Sequence, residues 1–151
     1  SPNHQTGRKT SLSTRGVVAM AGTFGYELDL TKLTVEECGE IRNQIKRYKD
    51  IEPVVHGGRL YRLSDPSENS RYYCWEHVSA DRSRCILSVV VTDPQANYTL
   101  VHVKLKGLDP DAMYSVGGEF ECRGRTLMQN GYTFPQLTGD YPAQQLDIIR
   151  I

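Results

Sequence analysis

The apolar pattern of this chain changes period near residue 58, and nothing else in the sequence narrows the fold as much. Upstream, apolar residues recur at steps of three and four, the mark of a helix face; downstream they alternate or run together between turns, as in strands. The sharpest local signal lies upstream. Thr34 followed by Glu37 is a capping box, in which hydroxyl and carboxylate each satisfy a backbone N–H near the helix start. Leu33 staples the entry. Cys38, Ile41, Ile45 and Tyr48 then form one apolar stripe, so residues 35–50 are predicted as a helix of about four turns. Lys46, Arg47 and Lys49 complement its dipole, and Pro53 with Gly57-Gly58 closes it. Before it, residues 14–21 read as a short helix ended by Gly22. Between the two, Phe24, Tyr26, Leu28 and Leu30 share one face of a strand over 24–30.

From residue 59 the pattern is β. Residues 60–63 form a short strand, stopped by Ser64-Asp65-Pro66. Residues 71–78 and 84–92 are longer strands around a turn at 80–83. The second carries Ile86, Leu87, Val89, Val90 and Val91, which predicts burial on both faces. Residues 99–105 alternate, with Val101, Val103 and Leu105 inward and His102 and Lys104 outward. A turn at 107–111 precedes short strands at 113–116 and 119–123, and 146–151 is the last strand. About seven strands at this spacing predict a mainly β fold, an antiparallel C-terminal β-sandwich over 59–151. Residues 1–58 make a separate, incomplete piece. Helix, strand, helix is one and a half units of a repeating α/β layer, and its lone strand has no parallel neighbour in this chain.

Charge narrows the partners. Eighteen basic residues balance eighteen acidic ones. Nucleic-acid and anionic-membrane binding both depend on excess Lys and Arg, so neither partner is expected. No apolar run approaches the ~20 residues of a membrane span. Residues 1–8 carry no initiator Met and no apolar signal core, which points to a truncated or processed piece. The four cysteines, Cys38, Cys74, Cys85 and Cys122, are irregularly spaced, with no Cys-x-x-Cys pair and no zinc-type His pair nearby. They read as small buried hydrophobes of a reducing, cytoplasmic compartment, and no metal or other cofactor is expected. Asn97-Tyr98-Thr99 matches the N-glycosylation pattern, which has meaning only in a secreted chain.

Catalytic constellations are missing from the pattern. Acidic residues fall on the helix surface (Glu36, Glu37, Glu40), in turns (Asp65, Asp81, Asp93, Asp109, Asp111, Asp140), or scattered elsewhere. Glu27 and Asp29 share a strand face, but solvated or salt-bridged residues at a strand end account for them better than a catalytic dyad does. His77 and Trp75 point the same way, which is more often packing than a site. No Gly-x-Ser-x-Gly elbow or Gly-rich phosphate loop occurs. Bottom-up, this is a binding or structural domain attached to a remnant of an α/β layer.

Three stretches carry a resemblance: Pro2-Asn3-His4-Gln5-Thr6-Gly7-Arg8, Thr14-Arg15-Gly16, and Gly22-Thr23-Phe24-Gly25-Tyr26-Glu27-Leu28-Asp29-Leu30. Together they resemble the barrel's end in α-galactosidases of glycoside hydrolase family 36. Tyr61-Arg62-Leu63, Trp75 with Val78-Ser79, and Gly107-Leu108-Asp109-Pro110 are similar to that family's C-terminal region. The resemblance implies that 1–58 is the last helix-strand-helix of a (β/α)8 barrel and 59–151 the C-terminal sandwich. It implies a retaining parent enzyme, bacterial in type, acting on terminal α-1,6-galactosides such as melibiose and raffinose-type sugars, without a metal. The family's nucleophile sits in a Lys-Trp-Asp motif and its acid/base in a Ser-Asp-Asn or Ser-Asp-Asp stretch. Neither occurs here, so no residue of this chain inherits a catalytic role and the chain alone is expected to be inactive. Asn3, His4 and Gln5 are candidates for the barrel rim, against simple loop packing. The implied partners are the galactoside, reached through the missing barrel, and the barrel itself, with homo-oligomerisation of the parent left open. A transglycosylase parent stays open too. So does a free-standing carbohydrate-binding module that stacks sugars on Tyr72, Tyr73, Trp75, Tyr98, Tyr132 or Tyr141.

Overall fold

A computed structural model describes residues 9–65, 67, 71–94 and 100–151. Helix α1 (Leu12–Ala19) starts at Ser11, whose hydroxyl accepts the Thr14 N–H. Helix α2 (Val35–Gly57) starts at the expected capping box: Thr34 Oγ1 accepts from Glu37 N at 3.2 Å and Glu37 Oε2 from Thr34 N at 2.9 Å. It runs seven residues past the predicted end at 50, straight through Pro53. Proline removes one helical hydrogen bond, but Lys49 and Pro53 are both exposed, so the loss falls on the solvent side of the helix. Gly58 ends the helix: its N–H still donates to Val54 O, and a Cβ there would collide with the carbonyls of Val54 and Val78.

Eight strands follow: β1 (Arg59–Arg62), β2 (Tyr72–Val78), β3 (Arg84–Val91), β4 (His102–Val103), β5 (Met113–Val116), β6 (Phe120–Arg123), β7 (Tyr132–Thr133) and β8 (Ala143–Arg150), with the short helix α3 (Gly124–Gln129) between β6 and β7. Six of them form one antiparallel sheet in the order β1-β2-β3-β8-β5-β6. The β2–β3 turn carries Arg82 at φ 57° and is closed by Asp81. The Ser79 hydroxyl, then the Ser83 N–H and hydroxyl, donate to that carboxylate and hold its pKa down at about 2.

One face of the sheet packs on the β4–β7 ladder, α3 and the 101–108 segment, around Cys85, Leu87, Val89, Val101, Leu105 and Phe134. The other face carries α1 and α2 through Met20, Tyr48, Ile51, Val54, Val55 and Ile86. Strand β3 lies between the layers and is buried from Cys85 to Val91, as a run apolar at every position but Ser88 requires. The layer facing the large sheet is thin, a two-stranded ladder with loops, but the architecture is the mainly antiparallel β fold that the alternation implied.

Three local expectations are corrected. Residues 24–30 form no ladder. Phe24, Tyr26 and Leu28 are half-buried and Gly25, Glu27 and Asp29 exposed, so the alternation holds, but a strand needs a hydrogen-bonding neighbour and none is offered here; Leu30 instead opens a 3-10 turn, Leu30–Lys32. Val101, Val103 and Leu105 point inward as expected, yet only His102–Val103 pairs with another strand, because Leu105 N donates to Leu127 O of α3. Helix α3 itself has no counterpart among the elements expected from sequence. At the 107 turn, Gly107 has φ 71° and the Tyr61 ring lies where its Cβ would be, 2.6 Å from the hydroxyl, so two of the resemblance motifs meet face to face.

Candidate functional site

Strand alternation divides β2 between two environments. Cys74, Glu76 and Val78 enter the core, while Tyr73, Trp75 and His77 face the helical side. His77 is buried and bonds the Ala21 backbone; burial first, then nearby His56, lowers its pKa. Tyr48 Oη donates to Gly22 O at 2.9 Å and lies 2.9 Å from His56 Nε2, so that nitrogen carries the hydrogen. These contacts pin the end of α1 to α2 and the sheet. His77 therefore packs.

Glu76 is fully buried. Its Oε1 accepts the Lys106 N–H at 2.6 Å and its Oε2 lies 3.3 Å from Cys85 Sγ. Burial pushes its pKa up to about 7, against the pull of the Lys106 amide. Burial likewise raises the Cys74 and Cys85 thiols, which makes them poor nucleophiles. An enclosed carboxyl that anchors the 104–108 segment is a structural acid. Sequence alone leaves it among the scattered carboxylates, although its parity with Cys74 and Val78 points it inward.

Several other acids have partners. Asp29 caps the 3-10 turn, with its pKa lowered by the Thr31 hydroxyl first, and pairs with Lys32; Glu27 stands apart, exposed. Asp50 and Asp147 share Arg84, at 2.5 and 2.6 Å, and Asp147 also takes Arg47 at 2.5 Å, a network that ties α2 to β3 and β8. Among the described residues no cluster of three or more His, Cys, Asp or Glu is arranged to hold a metal. Among the described residues no helix is long and apolar enough to cross a membrane. Asn3, His4 and Gln5, the rim candidates, lie outside the described residues, as do Tyr98 and the Asn97-Tyr98-Thr99 pattern.

Among the described residues four openings border α1; the widest, about 640 Å³, lies at its start among Lys9, Leu12, Glu37, Glu40 and Asp140, and another, about 410 Å³, lies between Ser13, Val17, Arg47 and Gln145. An apolar cavity of about 340 Å³ lies between Val18, Ala21, Leu60, Arg62, Tyr73 and Trp75. A smaller one, about 140 Å³, lies between α1 and residues 24–28 and contains Arg15. Neither of these two brings two carboxylates together; the widest opening has three on its border, of which Glu37 closes the capping box and Glu40 accepts from Gln44. The stacking candidates divide accordingly: Tyr73 and Trp75 border the apolar 340 Å³ cavity, Tyr72 and Tyr141 are half-buried, and Tyr132 is buried against Phe134.

Residues 72–148 match the family model of the glycosyl hydrolase family 36 C-terminal domain, and residues 1–58 match that of melibiase. The bifunctional α-galactosidase/sucrose kinase AgaSK of Mediterraneibacter gnavus is 46% identical over 147 residues, 95% of this chain and 15% of that protein. The α-galactosidase AgaA of Geobacillus stearothermophilus is 43% identical over 140 residues, 93% of this chain and 19% of that protein. The solved galactosidase domain of AgaSK superimposes with a TM-score of 0.93 at 44% identity, over 99% of this chain and 21% of that one. The crystal structure of AgaA gives 0.93 at 40% identity with the same coverage. The chain spans 15–20% of the length of the curated relatives it matches.

Proposed function

From the premise that the chain belongs to glycosyl hydrolase family 36, we propose that it is the non-catalytic C-terminal part of an α-galactosidase. The observation that carries this reading is the use of the carboxylates: caps, ion pairs and one buried acid, and of the three that border one opening, Glu37 caps α2 and Glu40 accepts from Gln44. Retaining glycosidases hold two carboxyls about 5 Å apart across the scissile bond, and neither family motif for them occurs in the sequence. The proposed parent cleaves terminal α-1,6-galactosides by double displacement on a barrel of which residues 1–58 form the end, and residues 59–151 make the domain packed against it. The extended, unladdered 24–28 segment supports this division, since a barrel strand lies between two parallel neighbours. Four unbridged thiols favour a cytoplasmic setting. The test is turnover of a chromogenic α-galactoside by the chain alone and by the longer protein read upstream of Ser1. Turnover by the longer protein only is expected; turnover by the chain alone would refute the reading.

A second reading, a free-standing sugar-binding module, rests on Tyr73 and Trp75 beside the 340 Å³ cavity. Trp75 is the single tryptophan, so a saturable fluorescence change on galactoside titration favours this reading, and a flat titration removes it.

A further inference from the structure

The side-on edge of the Arg15 guanidinium is vacant. Nε and Nη2 are both shielded from solvent and neither has a hydrogen-bond partner. These two N–H groups point the same way from the planar fork, and together they match the two oxygens of one carboxylate. Arg15 lines the 140 Å³ opening bounded on one side by α1 and on the other by residues 24–28. Nearby acceptors are in use or do not reach it. Gln44 Oε1 takes the Tyr26 hydroxyl at 2.5 Å, Glu40 Oε1 takes Gln44 Nε2 at 3.2 Å, and Glu27 lines the opening without engaging Arg15. No ion pair to Arg15 occurs among the described residues.

We infer that the α1 face around Arg15 is a docking surface for an Asp or Glu side chain carried by the rest of a longer protein, with Arg15 as its bidentate anchor. The inference rests on the proposed reading of residues 1–58 as the end of a barrel and names the chemistry of one contact in it. Shielded donors without acceptors cost folding free energy, so an unpartnered guanidinium edge in a residue that lines an opening beside the unpaired 24–28 segment is poorly placed in this chain alone. The same edge closed by a carboxylate holds two layers in register. The opening is too small for a large anion, which favours a side chain.

The test measures thermal unfolding of Arg15→Met, Arg15→Gln and Arg15→Lys in two settings: this chain, and the longer protein that the proposed function requires. In the chain alone, Arg15→Met and Arg15→Gln are expected to leave the Tm unchanged or raise it. In the longer protein both are expected to lower it by at least about 3 °C, and Arg15→Lys to rescue little, since an ammonium lacks the fork. The same sign in both settings overturns the inference while leaving the galactosidase reading intact if the longer protein turns over substrate. A longer protein that is inactive, or encoded nowhere, removes that reading and the inference with it. Formate or acetate raising the Tm of the chain through Arg15, with no loss in the Arg15→Met longer protein, assigns the edge to free anions and overturns the docking.

Discussion

Replacing Glu76 with glutamine should change how stability depends on pH, with a size that follows from burial. In the unfolded chain the carboxyl loses its proton near 4.5; in the folded chain it holds it up to about 7. Below pH 4.5 the group is protonated in both states and contributes no slope. As pH rises from about 4.5 to about 7, the unfolded state has released the proton and the folded state still binds it, so stability falls; above 7 the loss is complete. At ~1.4 kcal/mol for each pH interval of one, the loss across this window is on the order of 3 kcal/mol. The amide introduced by Glu76→Gln keeps an acceptor for the Lys106 N–H and offers an N–H towards Cys85 Sγ, so packing is retained. Urea unfolding of the two proteins between pH 4 and 8 gives the difference directly. Glu76→Gln is expected to gain on the parent steadily from about pH 4.5 to 7 and then level off. Using the difference matters because His77, present in both, contributes the opposite slope. A difference that stays constant across this range would refute the reasoning, since it would mean that Glu76 titrates normally in the fold.

His77, with its pKa lowered by burial, binds its proton in the unfolded chain near 6.5 but not in the folded one, so stability should fall as pH drops below about 6.5; His77→Gln should flatten that limb in the same unfolding series. Gly58→Ala places a methyl against the carbonyls of Val54 and Val78 and should cost about 2 kcal/mol or more by urea midpoint, whereas Gly57→Ala, with open space around it, should cost nothing or stabilise slightly. A thiol reagent should label Cys38 and Cys122 in the native chain and reach Cys74 and Cys85 only after denaturant is added, read by mass spectrometry; rapid native labelling of Cys85 would contradict the closed core. Asp147→Asn removes the carboxylate between Arg47 and Arg84 and should lower stability by about 1 kcal/mol in low salt and less in high salt.

What the sequence made legible was whatever a short window decides. Thr34 and Glu37 are three residues apart, so their capping box needs no knowledge of the rest of the chain. The Ile86–Val91 run, apolar on both parities and interrupted only by Ser88, announces burial on both faces. Errors came where distant residues decide. Pro53 reads as a stop, but exposure at Lys49 lets the helix continue until Gly58 meets Val78, twenty positions on. Phe24, Tyr26 and Leu28 have a strand's alternation without a partner to make it one. Of the site, the packing role of His77 was legible from its neighbourhood on β2. The open edge of Arg15 was not, because an unsatisfied donor is a property of what surrounds it and leaves no mark on the residues beside it in sequence.

The position of β8 has a consequence for how the chain is made. It follows every other strand in sequence, yet it lies between β3 and β5 in the middle of the sheet. Until residues 143–150 clear the ribosome, β1-β2-β3 and β5-β6 are two separate ribbons, each with an open edge where β8 will go. The contacts that join them span up to 65 positions, Arg84 to Ile149, so closure of the sheet is a late, non-local event on a slow topology. Nascent chains stalled a few residues short should therefore be the form most exposed to aggregation during synthesis.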